Sequence, residues 1–223
     1  MNWEIGNKTI ESRFFLGTAG YPSPEIMRQA IASAAVNVIT TSLRRQTADN
    51  GNGDGNAFWQ LIKETGCHVL PNTAGCRSAK EVYVTAQMAR DVFETNWIKL
   101  ETVGDDYNLQ PDPFEMIKAA EMLIADGFEV FPYTTDDLVI CQRLVELGCK
   151  IVMPWASPIG SGQGLLNPYA LRTLRERLPN VRLIVDAGIG RPSDATRAME
   201  LGADGILLNS AVAHAEDLSL IHI

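Results

Sequence analysis

The sequence predicts an α/β protein built as a closed (β/α)8 TIM barrel, and three observations predict it. Short, near-continuous apolar runs recur eight times along the chain, which is how parallel strands buried on both faces read. Longer stretches with apolar residues at helical spacing separate these runs. Several of the stretches end on a glycine just ahead of the next run, where a left-handed residue closes a helix.

The eight runs are residues 14–18, 36–43, 68–73, 97–101, 129–134, 150–155, 183–188 and 205–210. Of the segments between them, 24–34 and 192–201 open on Pro24 and Pro192, since a first helical turn has no use for the N–H that proline lacks. Segment 78–95 sets Val82, Ala86 and Ala89 on one face, and 113–125 does the same with Ile117, Ala120, Leu123 and Ile124. Gly66, Gly127, Gly148 and Gly202 are the terminating glycines. Eight alternations imply that the sheet closes. A doubly wound open sheet is the alternative, but it usually has fewer strands and an early glycine fingerprint, absent from this sequence.

Residues 3–12 read as a short hairpin turning at Gly6-Asn7, a cap over the bottom of the barrel, and the whole of 1–223 reads as one domain. After the eighth strand only 211–223 remain where a full-length eighth helix is expected, and 214–223 form an atypical tail with neither cap nor polar helical face. The eighth helix therefore reads as truncated, or the tail as foreign.

Composition bounds the function. A formal net charge of −8 argues against nucleic acid or an anionic membrane as the main partner. A phosphate can still bind an acidic protein where backbone N–H groups converge on it. Cys67, Cys76, Cys141 and Cys149 form no CxxC pair, and His68, His214 and His222 do not cluster with them. No metal is expected, and the cysteines read as reduced thiols. The first residues lack a basic segment followed by an apolar one, and no apolar run reaches membrane-spanning length, so the expectation is a cytoplasmic protein.

Barrel chemistry sits at the carboxyl ends of the strands. The fourth run reads Trp97-Ile98-Lys99-Leu100-Glu101. Period two puts Ile98 and Leu100 on one face and Lys99 and Glu101 on the other. The apolar face belongs against helices, so the lysine and glutamate belong inside. An ion pair that merely fills the interior is one reading, at odds with the desolvation it would require. An imine-forming lysine is the other, since an interior amine is the residue type that condenses with ketones and aldehydes. Burial lowers an amine's pKa by as much as 3–5 units, whereas an ionised Glu101 raises it. The chemistry is best served if Glu101 points slightly away, or exchanges protons with substrate.

The seventh run ends Val185-Asp186-Ala187-Gly188-Ile189-Gly190, with Asp186 facing the mouth and a helix opening at Pro192-Ser193 expected to present free N–H groups. The eighth ends at Asn209-Ser210. Loops after these two strands are the usual phosphate site of this fold. The glycine-rich 158–164 loop falls beside them at the mouth. Residues 49–56 are low in complexity and read first as a mobile loop, while Cys76 and Arg77 read as structural.

With these residues in place, the chain resembles the thiazole synthase family. The matching stretches are Leu70-Pro71-Asn72-Thr73, Thr95-Asn96-Trp97-Ile98-Lys99-Leu100-Glu101, Leu109-Gln110-Pro111-Asp112-Pro113, Pro158-Ile159-Gly160-Ser161-Gly162-Gln163-Gly164, 185–190 and Gly202-Ala203-Asp204. The resemblance implies a sulfur-transferring enzyme of thiamine biosynthesis, acting on 1-deoxy-D-xylulose 5-phosphate through an imine at Lys99. Sulfur would arrive as a thiocarboxylate on a ubiquitin-like carrier protein, and a separate enzyme would supply dehydroglycine. The resemblance gives acid/base work to Glu101 and Asp186, and sugar-phosphate contacts to Gly160, Ala187, Gly188, Asn209 and Ser210, with Ser210 where threonine is common. It implies no cofactor, and a homo-oligomer is expected. Another Schiff-base barrel, of the aldolase or pyridoxal phosphate synthase kind, is disfavoured by the linear motifs. A non-catalytic phosphate-binding barrel with a structural lysine is the remaining alternative.

Overall fold

The computed structural model describes residues 3–43 and 55–215. Two short antiparallel strands, β1 (Trp3–Ile5) and β2 (Lys8–Ile10), form the expected hairpin. Gly6 turns it at φ 56°, a left-handed conformation natural to glycine. Eight strands follow in a closed ring: β3 (Phe14–Gly17), β4 (Val38–Ser42), β5 (His68–Asn72), β6 (Trp97–Leu100), β7 (Glu129–Thr134), β8 (Ile151–Pro154), β9 (Arg182–Asp186) and β10 (Gly205–Leu208). Every neighbouring pair is parallel, and β10 closes on β3. The open sheet is thereby excluded.

Among the described residues the helices are α1 (Pro24–Ala34), α2 (Gly55–Glu64), α3 (Ala79–Phe93), α4 (Pro113–Ala125), α5 (Leu138–Glu146), α6 (Pro168–Arg177), α7 (Pro192–Glu200) and α8 (Ser210–Ala213). Their starts follow from local chemistry. Ser23, Ser78, Asp112 and Asp137 each accept a hydrogen bond from a first-turn N–H of the helix they precede. Helices α2, α5 and α6 are not among the segments the sequence delimits, although Gly66 and Gly148 mark where α2 and α5 end. In α5 only Cys141 and Leu144 are buried and in α6 only Leu171 and Leu174, which leaves a thin apolar stripe.

Of the low-complexity stretch 49–56, residues 49–54 lie outside the described residues, and Gly55 and Asn56 already belong to α2. The eighth helix is the single turn α8, and most of the tail, from residue 216 onward, likewise lies outside them. The predicted strands run up to two residues past the observed ladders. Mouth residues such as Glu101 share the strand's alternation without its pairing.

Strand alternation sorts the core into two layers. Ile98 and Leu100 pack outward against Val82, Ala86 and Ala89 of α3 and Met116, Ala120 and Leu123 of α4. Inside the ring, Phe15, Val38, Leu70, Trp97, Phe131, Ile151, Met153, Ile184 and Leu207 form one cluster, completed by Trp3, Ile5 and Ile10 of the hairpin. The hairpin thus plugs the amino end of the barrel with its own apolar side chains. Lys99 stands directly above this layer, one pleat up from Trp97.

Because Ile5 is 1% exposed within that cluster, Ile5→Ala is expected to cost about 2–5 kcal/mol, read from urea unfolding. A loss under about 1 kcal/mol would show that the hairpin rests on the barrel without belonging to its core.

Candidate active site

Three ionisable side chains meet at the floor of the barrel mouth. Lys99 Nζ lies 2.6 Å from Asp186 Oδ2 and 3.0 Å from Glu101 Oε1. Lys99, Glu101 and Asp186 are 5%, 9% and 3% exposed, so the contacts are poorly screened by water. Lys99 comes from β6 and Asp186 from the last position of β9, and their contact reaches across the interior. The ring of Tyr133 on β7 lies 5.6 Å from the same ammonium, within cation–π range.

Burial alone would push the Lys99 amine down. The charges of Asp186 and Glu101 and their hydrogen bonds outweigh it and hold the amine above the ordinary lysine range. Burial, with the neighbouring Glu101 charge adding to it, pushes the Asp186 carboxyl up against the opposing pull of Lys99. The sequence leaves open whether Glu101 points away from Lys99; it points at it, and together with Asp186 it outweighs the desolvation. Lys99 is thus held as an ammonium against Asp186 and Glu101.

Above the triad opens a cavity of about 1220 Å³. All eight site residues named from the sequence line it: Lys99, Glu101, Gly160, Asp186, Ala187, Gly188, Asn209 and Ser210. The β8–α6 and β9–α7 loops form one wall by backbone contact. Ala156 N–H donates to Ala187 C=O at 3.2 Å, and Gly164 N–H to Gly188 C=O at 2.8 Å. The Ser157 hydroxyl donates to Gly188 C=O at 3.3 Å. A Cβ on Gly188 would lie 2.0 Å from Ser157 Oγ, so only glycine admits this approach. Ala187 beside it holds φ 72°, unusual for a residue with a side chain.

Just ahead of α7, Asp194 Oδ2 accepts from Gly190 N–H at 3.2 Å and Arg191 N–H at 3.0 Å, so these two donors are already engaged by the helix's own first turn.

The opposite wall was missed. Tyr21, Thr41, Ser42 and Asn72 also line the cavity. Among the described residues, Tyr21 Oη, Thr41 Oγ1 and Ser42 Oγ are buried without a hydrogen-bond partner, as is Asn209 Oδ1 on the phosphate-loop side. Buried polar atoms are nearly always paired, so these four are hydrogen-bonding groups left open among the described residues beside the cavity. Thr41 and Ser42 end an apolar run, the same signal that exposed Lys99 and Asp186. Tyr21 sits in a loop and carries no such signal.

Set beside known sequences, residues 4–221 match the family described as thiazole biosynthesis protein ThiG. The chain belongs to the thiazole synthase family. It is 57% identical to the thiazole synthase of Coxiella burnetii over 215 residues, 96% of this chain and 82% of that relative. It is also 57% identical to the thiazole synthase of Neisseria gonorrhoeae over 210 residues, covering 94% and 80%. Among solved structures, the Amycolatopsis orientalis BexX/CysO complex is similar at a TM-score of 0.85 and 30% identity, covering 98% of this chain and 88% of that one.

As a family member it carries out thiazole synthesis, condensing 1-deoxy-D-xylulose 5-phosphate, dehydroglycine and sulfur into the thiazole phosphate moiety of thiamine. Among the described residues, no helix is long and apolar enough to cross a membrane. No group of three or more His, Cys, Asp or Glu among them could hold a metal ion.

The loop wall makes a paired prediction for this thiazole synthase-family barrel. Gly160 and Gly188 share a positive φ, 77° and 80°, but a Cβ on Gly160 meets nothing within 4 Å. Gly160→Ala should therefore cost only the backbone term, about 1–2 kcal/mol. Gly188→Ala should cost at least about twice that through overlap with Ser157. Equal losses in chemical denaturation would show that the two loops part without cost.

Proposed function

We propose that Lys99 forms the imine with the C2 ketone of 1-deoxy-D-xylulose 5-phosphate, with Glu101 and Asp186 moving the protons. The observation that carries this is a buried lysine bracketed by two carboxylates on the floor of a polar-lined cavity. A lysine that only filled the interior would be neutralised by one carboxylate. The second gives the site one more proton acceptor than the ion pair needs.

The proton count closes. The Lys99 ammonium passes a proton to Asp186, the nearer carboxylate, whose raised pKa suits it to accept. The exchange replaces an ion pair by two neutral groups, which a water-poor interior tolerates. The neutral amine attacks C2 and gives a carbinolamine. Asp186 returns the proton to the departing hydroxyl, water leaves, and a protonated imine stands between the same two carboxylates. A carboxylate then takes a proton from the adjacent carbon, with the imine as electron sink, and a proton is returned at another atom to complete the tautomerisation. Positioned acid/base catalysis of this kind contributes about 10²–10⁴ in rate.

On this reading Gly160, Ala187, Gly188, Asn209 and Ser210 hold the sugar phosphate, supported by their shared wall and by the unpaired Asn209 Oδ1. Sulfur comes from the thiocarboxylate of a small carrier protein, a reading supported by the complex in which BexX was solved with CysO. Dehydroglycine is delivered by a separate enzyme.

Borohydride added with 1-deoxy-D-xylulose 5-phosphate should fix one reduced sugar phosphate, mapped by peptide mass spectrometry to Lys99. Lys99→Arg should yield no adduct, because a guanidinium stays protonated. An adduct that persists in that variant would remove the imine from Lys99. Glu101→Gln and Asp186→Asn should bind the sugar phosphate yet form thiazole at least about a hundredfold more slowly, and near-normal turnover in either would make its carboxyl group structural.

The pH dependence follows from the direction of the Asp186 shift. Asp186 must be ionised to accept the proton, and burial raises its pKa. Activity should therefore fall on the acid side at a higher pH than the ordinary aspartate value of about 3.9. The limb belongs to the triad as a unit, and Asp186→Asn should displace it. A kcat/KM profile flat down to pH ~4 would contradict the assignment.

A further inference from the structure

We propose that Thr73 is a positioning residue, whose hydroxyl holds Glu101 in place where the barrel's own ladder has run out. The inference rests on the role given above to Glu101 and deepens it.

Strands β5 and β6 are paired in register at Asn72 and Lys99. Asn72 is the last residue of β5 and Leu100 the last of β6. Glu101 therefore stands beyond regular pairing, although its carboxylate must reach Lys99 Nζ. Thr73 supplies what the ladder lacks. Its N–H donates to Lys99 C=O at 3.1 Å. Its Oγ1 donates to Glu101 C=O at 2.8 Å and accepts from Glu101 N–H at 2.8 Å. A hydroxyl can donate once and accept as well, and this one does both with a single residue, standing in for the two backbone groups of an absent strand neighbour.

The arrangement is dry and anchored. Thr73 is 0% exposed, so no water replaces the bonds if the hydroxyl is lost. The loop behind it is tied down, with Cys76 N–H donating to Thr73 C=O at 3.0 Å and Val103 N–H to Cys76 C=O at 2.8 Å. Glu101 is also held by its ion pair with Lys99. That pair changes when the amine becomes an imine, whereas the bonds to Thr73 do not. Thr73 thus keeps a carboxylate in register during the steps in which its resting partner is chemically altered. A misplacement of about 1 Å in such a group is enough to slow a reaction roughly a hundredfold.

The test uses the whole chain and two variants. Thr73→Val keeps the shape and removes the hydroxyl; Thr73→Ser keeps the hydroxyl. In Thr73→Val, kcat should fall about tenfold to a hundredfold. The half-saturating sugar phosphate concentration should stay within about threefold, and the borohydride adduct at Lys99 should still form. Thr73→Ser should recover most of the lost rate. In the Glu101→Gln background, where no carboxylate remains to be positioned, Thr73→Val should cause little further slowing.

Thr73→Val with wild-type kcat would overturn the proposal. So would a loss as large in the Glu101→Gln background as in the wild type, since that is a general structural effect. If Thr73→Val does not fold, Thr73→Ala carries the same cycle. Absence of any Lys99 adduct in the wild type would strike the imine assignment instead, and is distinguishable from both.

Discussion

Much of this molecule is arranged around one ammonium ion kept out of water. Burying a charge costs several kcal/mol even after relaxation, and Lys99 is tolerated because Asp186 and Glu101 converge on it at 2.6 and 3.0 Å. The partners come from separate parts of the ring. Lys99 and Glu101 share one strand and its extension, while Asp186 ends β9 on the other side of the interior. Barrel closure is therefore the condition for the contact, and a sheet left open between β6 and β9 would leave one carboxylate without its cation. The excess of negative charge keeps the group basic, and it makes the lysine's protonation a property of three residues together.

Below and above that ion, two devices suit the protein to carry it. Below, the hairpin side chains Trp3, Ile5 and Ile10 complete an apolar floor, which keeps water from solvating the triad from underneath. Above, the β8–α6 and β9–α7 loops lock together through glycines whose replacement would put a Cβ into a neighbour. The wall so formed is backbone, which has little rotamer freedom to lose when a ligand arrives. The cavity between these devices is lined in part by polar residues whose atoms have no partner among the described residues, Tyr21 Oη, Thr41 Oγ1, Ser42 Oγ and Asn209 Oδ1.

The sequence shows the barrel because buried parallel strands read as uninterrupted apolar runs, and all eight are found at nearly their observed positions. It shows Lys99 and Asp186 because a charged residue within such a run has few structural excuses. What it hides is of two kinds. Helices α5 and α6 bury too little of themselves to stand out. Relations between distant segments leave no local trace: Thr73 clasping Glu101, Asp186 meeting Lys99 across the interior, and Tyr21 lining the cavity. The direction of the Lys99 shift is the instructive case. Burial was legible from alternation, but the convergence of Asp186 and Glu101 on the amine was not, and their charges, Asp186 first, decide the sign.

The plugged amino end has a consequence for traffic. With Trp3, Ile5 and Ile10 seated among the interior side chains, the reaction chamber is a blind alley. Sugar phosphate, nitrogen donor and sulfur donor all enter past the rim where the finished ring must leave, and so does each water molecule expelled on the way. Reactants that share one doorway are admitted in series, and on the imine mechanism proposed above an intermediate tethered to Lys99 at the far end is not displaced by whatever comes next. Covalent attachment at the closed end then serves as a mooring as much as an activation.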